Sequence, residues 1–509
     1  MESSKPSIIM LQSAIGLILG YLTFLIIFRY AGVEAYGIFS FALSFGLLFS
    51  FIGDLGLNTA HIKMISSGKN RAEYNSAFFL LKISMTLIYI GVMLLSLYIW
   101  KMVLHRGFET RFELISILLL IPYFFSLPLI QGIRSFLTGT MEAAKLSIPS
   151  IVESLVRFLL IFIFFFVNIF HVRNSLEYSI YISIAYSVSY IAYLAMNLYF
   201  GRPWKFKWPD FSIIMEYMKF SFPLLIATVV ATISSNISQI LIQTFFHAYE
   251  LGGYSGDLKI VQIISTFAGS ITIMILPMLA KDSKDMNEYK GRVNYITKYL
   301  IMLLSPLIVF TIIFAAPILN LWTSQLISFQ LPLRVMLLSI FFSVVSTTFI
   351  NHFNATSNTK VSSFINILNS VLIIVLDIIL VPSQFFGIKL MNLGVMGAAL
   401  AMLISSIITF LYSLFLIHNE IGKFIDKNAV LPIAVSILPA LPLIIFFYYS
   451  TKMSALYLAA IFVGYMFIYL ILLRAFKVIN RDELNDIINI INPKKLFSYI
   501  ADELRRPSQ

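Results

Sequence analysis

Along almost the whole chain, apolar residues gather in runs of about twenty, separated by short polar segments. A helix of that length is what a bilayer's hydrocarbon, about 30 Å thick, requires at about 1.5 Å per residue. Such runs fall near 8–29, 38–60, 77–100, 114–137, 150–170, 177–200, 212–243, 254–280, 295–319, 332–353, 361–382, 391–418, 429–449 and 454–474. They predict fourteen membrane-spanning helices, an even number that puts both termini on one side. The basic residues choose the side: with the N-terminus in the cytoplasm, inside segments and adjoining span ends hold 25 of the 36 Lys and Arg, against nine outside, with Lys82 and Arg157 in the membrane. The first run, Ile8 to Phe28, is too long for the apolar region of a signal peptide and no small-residue cleavage site follows it, so it reads as a retained first span. Trp100, Trp204, Trp208 and Trp322 fall at predicted span ends, where an amphipathic indole belongs.

Composition narrows the class. Of 509 residues, 59% are hydrophobic and 12% charged, about half the charge of a soluble globular chain. The absence of cysteine excludes a disulfide framework, thiolate metal sites and a cysteine nucleophile. The net charge of +12 follows from cytoplasmic loops rich in Lys and Arg and does not indicate a nucleic-acid partner. Beyond the last span, residues 476–509 form a cytoplasmic tail with Leu484, Ile487, Ile488 and Ile491 on one face and Leu496, Tyr499, Ile500 and Leu504 after Pro493. That spacing suits a helix pair lying on the inner membrane surface.

The chain also repeats itself. EAYGIFSFALS (34–44) answers ELGGYSGDLKI (250–260), FLTGTMEAAKLS answers FNATSNTKVSS, and SLEYSIYISIAYSVSYI answers NLGVMGAALAMLISSII, at nearly one offset of about 216 residues. A duplicated six-helix unit is a common way to build a transporter. The expected organisation is a six-helix lobe over 1–200, a second over 201–420 in the same topology, two additional helices over 421–475, and the tail. Two such lobes would leave a cleft opening alternately to the two sides.

The segment FRYAGVEAYGIFSFALSFGLLFSFIGDLGL (28–57) resembles the first helical hairpin of polysaccharide flippases in the multidrug, oligosaccharidyl-lipid and polysaccharide exporter superfamily. YMKFSFPLLIATVVATISSNISQILI (217–242) with ELGGYSGDLKIVQ resembles the start of their second lobe, and GVMGAALAMLIS (394–405) is similar to their twelfth helix. The resemblance implies an all-α polytopic protein, two six-helix lobes in a V-shaped bundle. It also implies that isoprenoid diphosphate-linked oligosaccharide moves from the inner to the outer leaflet of a prokaryotic plasma membrane, for assembly of cell-surface polysaccharide. Relatives often carry an Asp in the seventh helix, where this sequence has Ser238 and Gln239.

Charges inside membrane spans are expensive, and they mark pathways. Asp54, Lys82, Glu153, Arg157 and Asp377 lie within spans, with Arg29, Glu216, Lys219, Asp257 and Lys259 nearer the ends. Lys82, Arg157 and Lys219 fall in the inner third, where a diphosphate headgroup would meet them first, and Arg29 lies near an outer end; Arg and Lys suit phosphate oxygens. Asp54 and Glu153 share the inner depth as charge-balancing or coupling groups. Asn236, Gln239, Gln243, Asn366 and Asn369, with Gln262, Asn351 and Asn354, suit a wall that meets sugar hydroxyls. Structural readings stand beside these: an i,i+4 ion pair for Glu153 and Arg157, snorkelling for Lys82, interfacial anchoring for Arg29, and interhelical hydrogen bonding for the amides.

No catalytic signature is present: HExxH, GxSxG and a phosphate-binding glycine loop are missing, and Gly68-Lys69 lacks the upstream glycine. The expectation is a transporter that uses no cofactor and no metal, driven by an H+ or Na+ gradient, membrane potential or product removal. Candidate partners are membrane lipids and a polysaccharide polymerase or glycosyltransferases. A cation-coupled multidrug antiporter of the same superfamily is the alternative, weakened because IIMLQSAIGLILGYLTFLIIFRY contains no acid. A lipid II-type flippase is another. A membrane-embedded glycan polymerase or ligase would need a larger outer loop than the one near Lys101 to Glu113.

Overall fold

The computed structural model describes residues 5–68, 71–103, 109–140, 142–167, 174–201, 207–272, 286–422, 427–447 and 451–479. The expected amphipathic helices of the tail, with Trp204, lie outside the described residues. The architecture is all-α apart from one short hairpin. Its contacts divide the chain into two compact units, the first running to Gly252 and the second beginning at Gly253.

The first unit contains α1 (Lys5–Tyr30), α2 (Gly32–Leu47), α3 (Leu57–Ser66), α4 (Arg71–Tyr98), α5 (Arg111–Leu119), α6 (Ile121–Gly139), α7 (Ala143–Phe166), α8 (Tyr178–Phe200) and the first part of α9 (Phe211–Thr272). Several of these helices are apolar on their outward faces as well, with Leu87, Leu95, Ile191 and Phe222 exposed. A helix that is hydrophobic all round suits lipid surroundings. One core cluster gathers Leu57, Met64 and Ile65 of α3, Phe78 of α4, Ile133 and Phe136 of α6, and Tyr217 of α9.

Three breaks shape this unit. The second predicted span is bent by 47° between α2 and the residues leading into α3, where Leu55 and Gly56 both adopt positive φ, 46° and 80°. Glycine suits the second position because a Cβ there would lie 2.8 Å from Leu224 Cβ. Pro122, near the start of α6, separates it from α5, as proline at a helix N-terminus readily does. The 62-residue α9 carries the third break, at His247 (φ 74°, ψ 179°). Left straight it would measure about 93 Å, three bilayers of hydrocarbon. A break frees backbone N–H groups that need acceptors; here Ala248 N donates to Glu109 Oε2 at 2.9 Å.

Two glycines bring α2 and α9 into backbone contact. A Cβ on Gly37 would sit 1.8 Å from the Ala248 carbonyl oxygen, and one on Gly252 would sit 1.9 Å from that of Val33. Each glycine thus faces the carbonyl four residues before the other. They are 215 positions apart (252 − 37), one short of the offset that pairs 34–44 with 250–260.

The second unit continues α9 from Gly253 and adds α10 (Met286–Ile313), α11 (Ala315–Trp322), α12 (Gln330–Ala355), α13 (Thr359–Leu380), α14 (Gly394–Ile421), α15 (Lys427–Ile437), α16 (Ala440–Phe447) and α17 (Ala455–Ala475). The C-terminal helices pack on α10: Tyr469 OH donates to the Met302 carbonyl at 2.9 Å, and Phe310, Ala440, Leu458 and Tyr465 share a cluster. Between α13 and α14, Gln384–Phe385 pairs antiparallel with Ile388–Lys389. Phe386 and Gly387 both have positive φ at its tip, the geometry of a two-residue hairpin loop.

Among the described residues eleven helices are long and apolar enough to span a membrane, twelve if the bent pair is one span, against the fourteen expected. The difference has two sources. Two expected spans lie on the broken α9, and the thirteenth falls on a shorter apolar stretch, Ala429–Ile445.

Candidate functional site

The first unit places two cations of the sequence set in ion pairs. On α7, Arg157 Nη1 lies 3.0 Å from Glu153 Oε1, one turn back, so the expected i,i+4 pair forms. Glu153 is itself held, because Ser154 Oγ donates to Oε2 at 3.3 Å and Ser189 Oγ to Oε1 at 3.4 Å. The guanidinium lies over the Tyr186 ring, 5.0 Å from its centroid, a favourable cation–π position. Tyr36, Tyr123 and Tyr190 are also within electrostatic reach of it. The Tyr123 and Tyr190 ring centroids are 4.1 Å apart, with the planes tilted by 49°. The Arg157 side chain remains 18% exposed, and its buried Nε–H has no acceptor. A guanidinium has five N–H donors in a planar fork, so most of this one's hydrogen-bonding capacity is left for another group.

Lys82 of α4 is fully buried and donates to Asp54 Oδ1 at 3.4 Å. Burial of the ammonium beside a carboxylate, rather than extension to headgroups, is its arrangement here. Asp54 is occupied twice: the same Oδ1 accepts the backbone N–H of Asn58 at 3.2 Å and so caps the first turn of α3. Beside this pair His61 stacks on Phe78, with rings 3.8 Å apart, and its Nδ1 lies 2.7 Å from Tyr217 OH. His61 Nε2 and both side-chain polar atoms of the fully buried Asn75 have no hydrogen-bond partner.

The other expected residues are dispersed. Arg29, in the last turn of α1, and Lys219, on α9, are exposed and among the described residues carry no ion pair. Asn236 donates to Thr232 O within its own helix at 2.9 Å. Gln239 accepts from Ser44 Oγ at 2.7 Å. The amide nitrogen of Gln243 donates to Glu113 Oε1 at 2.8 Å and Glu109 Oε2 at 3.2 Å, part of the same carboxylate group that receives the freed Ala248 N–H. In the second unit, Asn369 Oδ1 accepts from Thr409 Oγ1 at 3.3 Å, and Asn366 is exposed on α13.

Sequence reasoning missed the tyrosines around Arg157 and the two carboxylates, Glu109 and Glu113, at the α9 break. Tyr186, Tyr190 and Tyr193 recur at helical spacing within SYIAY and its flanks, a usable signal. It also passed over His352, whose Nδ1 lies 2.6 Å from Tyr289 OH and whose Nε2 lies 3.3 Å from Glu420 Oε2. Among the described residues, no three His, Asp or Glu side chains converge as metal ligands would.

A polytopic bundle broken at these places, with a cation and its counter-ion held inside one helical unit, has the fold of MOP-superfamily transporters. A lipid II flippase, MurJ, in an inward closed conformation superposes with a TM-score of 0.72 at 18% identity, over 92% of this chain and 97% of that one. An inward-facing multidrug resistance transporter of the MATE family gives 0.59 at 14% identity, over 79% and 95%. A MOP-superfamily transporter from Pyrococcus furiosus, described as having a binding pocket of reverse polarity, gives 0.54 at 15%, over 82% and 97%. Curated proteins provide no sequence match. The family model described as polysaccharide biosynthesis protein matches residues 5–282, more than half of the chain, and the chain belongs to that family.

Proposed function

We propose that this protein is a flippase that carries isoprenoid diphosphate-linked oligosaccharide from the inner to the outer leaflet by alternating access, and that Arg157 meets the diphosphate. Family membership supports a role in polysaccharide assembly. The observation that carries the site is the partly open guanidinium of Arg157, oriented by Glu153 and Tyr186, with an unoccupied buried donor. Phosphate oxygens are the acceptors a planar fork serves best. A glycan headgroup crossing hydrocarbon alone would forfeit hydrogen bonds at roughly 2–7 kcal/mol each, and a protein lined with hydroxyls and amides lowers that barrier. The reading places both termini in the cytoplasm and treats the two repeat-derived lobes as the moving parts.

The test is reconstitution into liposomes containing a short isoprenoid-diphosphate oligosaccharide, with delivery to the outer leaflet followed for wild type, Arg157→Ala and Arg157→Lys. Delivery by wild type, loss in Arg157→Ala and partial recovery in Arg157→Lys are expected. A fully active Arg157→Ala that inserts normally would remove the residue from the headgroup site. No delivery by wild type would favour drug–cation antiport.

A further inference from the structure

Asp257 has no structural explanation. It opens the second unit five residues after Gly252, on the part of α9 where Gly253 packs against Phe329 and Tyr254 OH lies 3.8 Å from Met402 Sδ. The carboxyl is fully buried and neither oxygen has a hydrogen-bond partner. Lys259, two residues on, donates its Nζ to Gln262 Oε1 at 3.1 Å.

The repeat supplies the control. With Gly37 and Gly252 in register Asp257 answers Ala42, and in the pairing of 34–44 with 250–260 it answers Phe41. All three positions are buried. In either register the first copy of the motif fills this place with an apolar side chain, so the packing asks for nothing polar there. An acid kept inside a membrane span without a partner is a functional candidate on physical grounds.

The surroundings choose its ligand. A metal cation needs several oxygen ligands, and among the described residues no group of three or more His, Asp or Glu side chains is placed to hold one. The nearby Ser255 hydroxyl is two positions away on the helix, where side chains do not face each other. A lone buried carboxyl without a hydrogen-bond partner is suited to one ligand, a proton.

We propose that Asp257 is the proton-carrying residue of this transporter. It takes up one proton as the carboxylic acid from one side of the membrane and releases it as carboxylate to the other during each cycle. The role of proton carrier rests on Asp257 itself; what the proton drives rests on the flippase reading above.

Two measurements test it. Infrared difference spectra of the full-length protein between acid and alkaline buffer should contain a carbonyl band of a protonated acid that is missing in Asp257→Asn, while thermal unfolding shows Asp257→Asn and Asp257→Ala at least as stable as wild type. An unchanged band in the variant overturns the proposal, as does clear destabilisation of both variants, which would make the acid structural. In the liposome assay, an imposed proton gradient should accelerate wild-type delivery several-fold, and the ratio of rates with and without the gradient should fall to about one in Asp257→Asn. Equal stimulation of wild type and variant overturns the proposal, and so does stimulation by a sodium gradient alone. If wild type moves no lipid-linked oligosaccharide, the flippase reading fails while the infrared band still decides the proton site.

Discussion

Asp54–Lys82 and Glu153–Arg157 are both carboxylate–cation pairs of the first unit, yet their surroundings differ. In the first, the ammonium is fully buried and its carboxylate also caps α3 at the bend. The second is a pair on one helix whose acid is steadied by two serines and whose guanidinium keeps an open edge and an aromatic wall. A charge whose partners use up its capacity holds a fold in place. A charge that is oriented but not satisfied is prepared for something else.

That contrast can be broken most forcefully at Asp54. Asp54→Asn leaves Lys82 buried without a counter-charge and should lower stability by about 3–5 kcal/mol, read as a lower unfolding midpoint in detergent; Asp54→Asn with Lys82→Met should recover most of it. A single variant as stable as wild type would show that the pair is not structural. Arg157→Ala should reverse the balance. Its delivery should fall roughly 10- to 100-fold, the equivalent of about 1.5–3 kcal/mol for a hydrogen bond to a charged group, with a stability loss well below that of Asp54→Asn. The smallest effects belong to the exposed cations: Arg29→Ala and Lys219→Ala should each stay within about 0.5 kcal/mol of wild-type stability. A loss of delivery in Lys219→Ala larger than in Arg157→Ala would move the headgroup contact to the start of α9.

What could be read in advance was what is local. Runs of apolar residues marked the helices because hydrocarbon thickness sets their length, and the i,i+4 spacing of Glu153 and Arg157 gave their pairing. Asp54 and Lys82 are 28 residues apart and meet only because the second span bends at Leu55 and Gly56, which no hydropathy window registers. Gln243 reads as a sugar-facing amide in a list of polar positions. Its nitrogen is taken by Glu109 and Glu113, brought there by a break at His247 that has neither Gly nor Pro to announce it. The close approach of Gly37 and Gly252, each to the other's helix backbone, is set by how α2 and α9 cross and has no local signal.

Those glycines also constrain how the chain could change. After a duplication, two copies of a motif ordinarily drift apart, because each sits among different neighbours. Here each glycine lies against the other's helix: a methyl group added to either would displace a carbonyl less than 2 Å away, and no change of side chain opposite can make room. The obstacles are the backbone carbonyls of Ala248 and Val33, which every residue carries, so compensation by substitution is closed in both directions. In a saturation library of this gene, positions 37 and 252 should tolerate the same single residue, glycine.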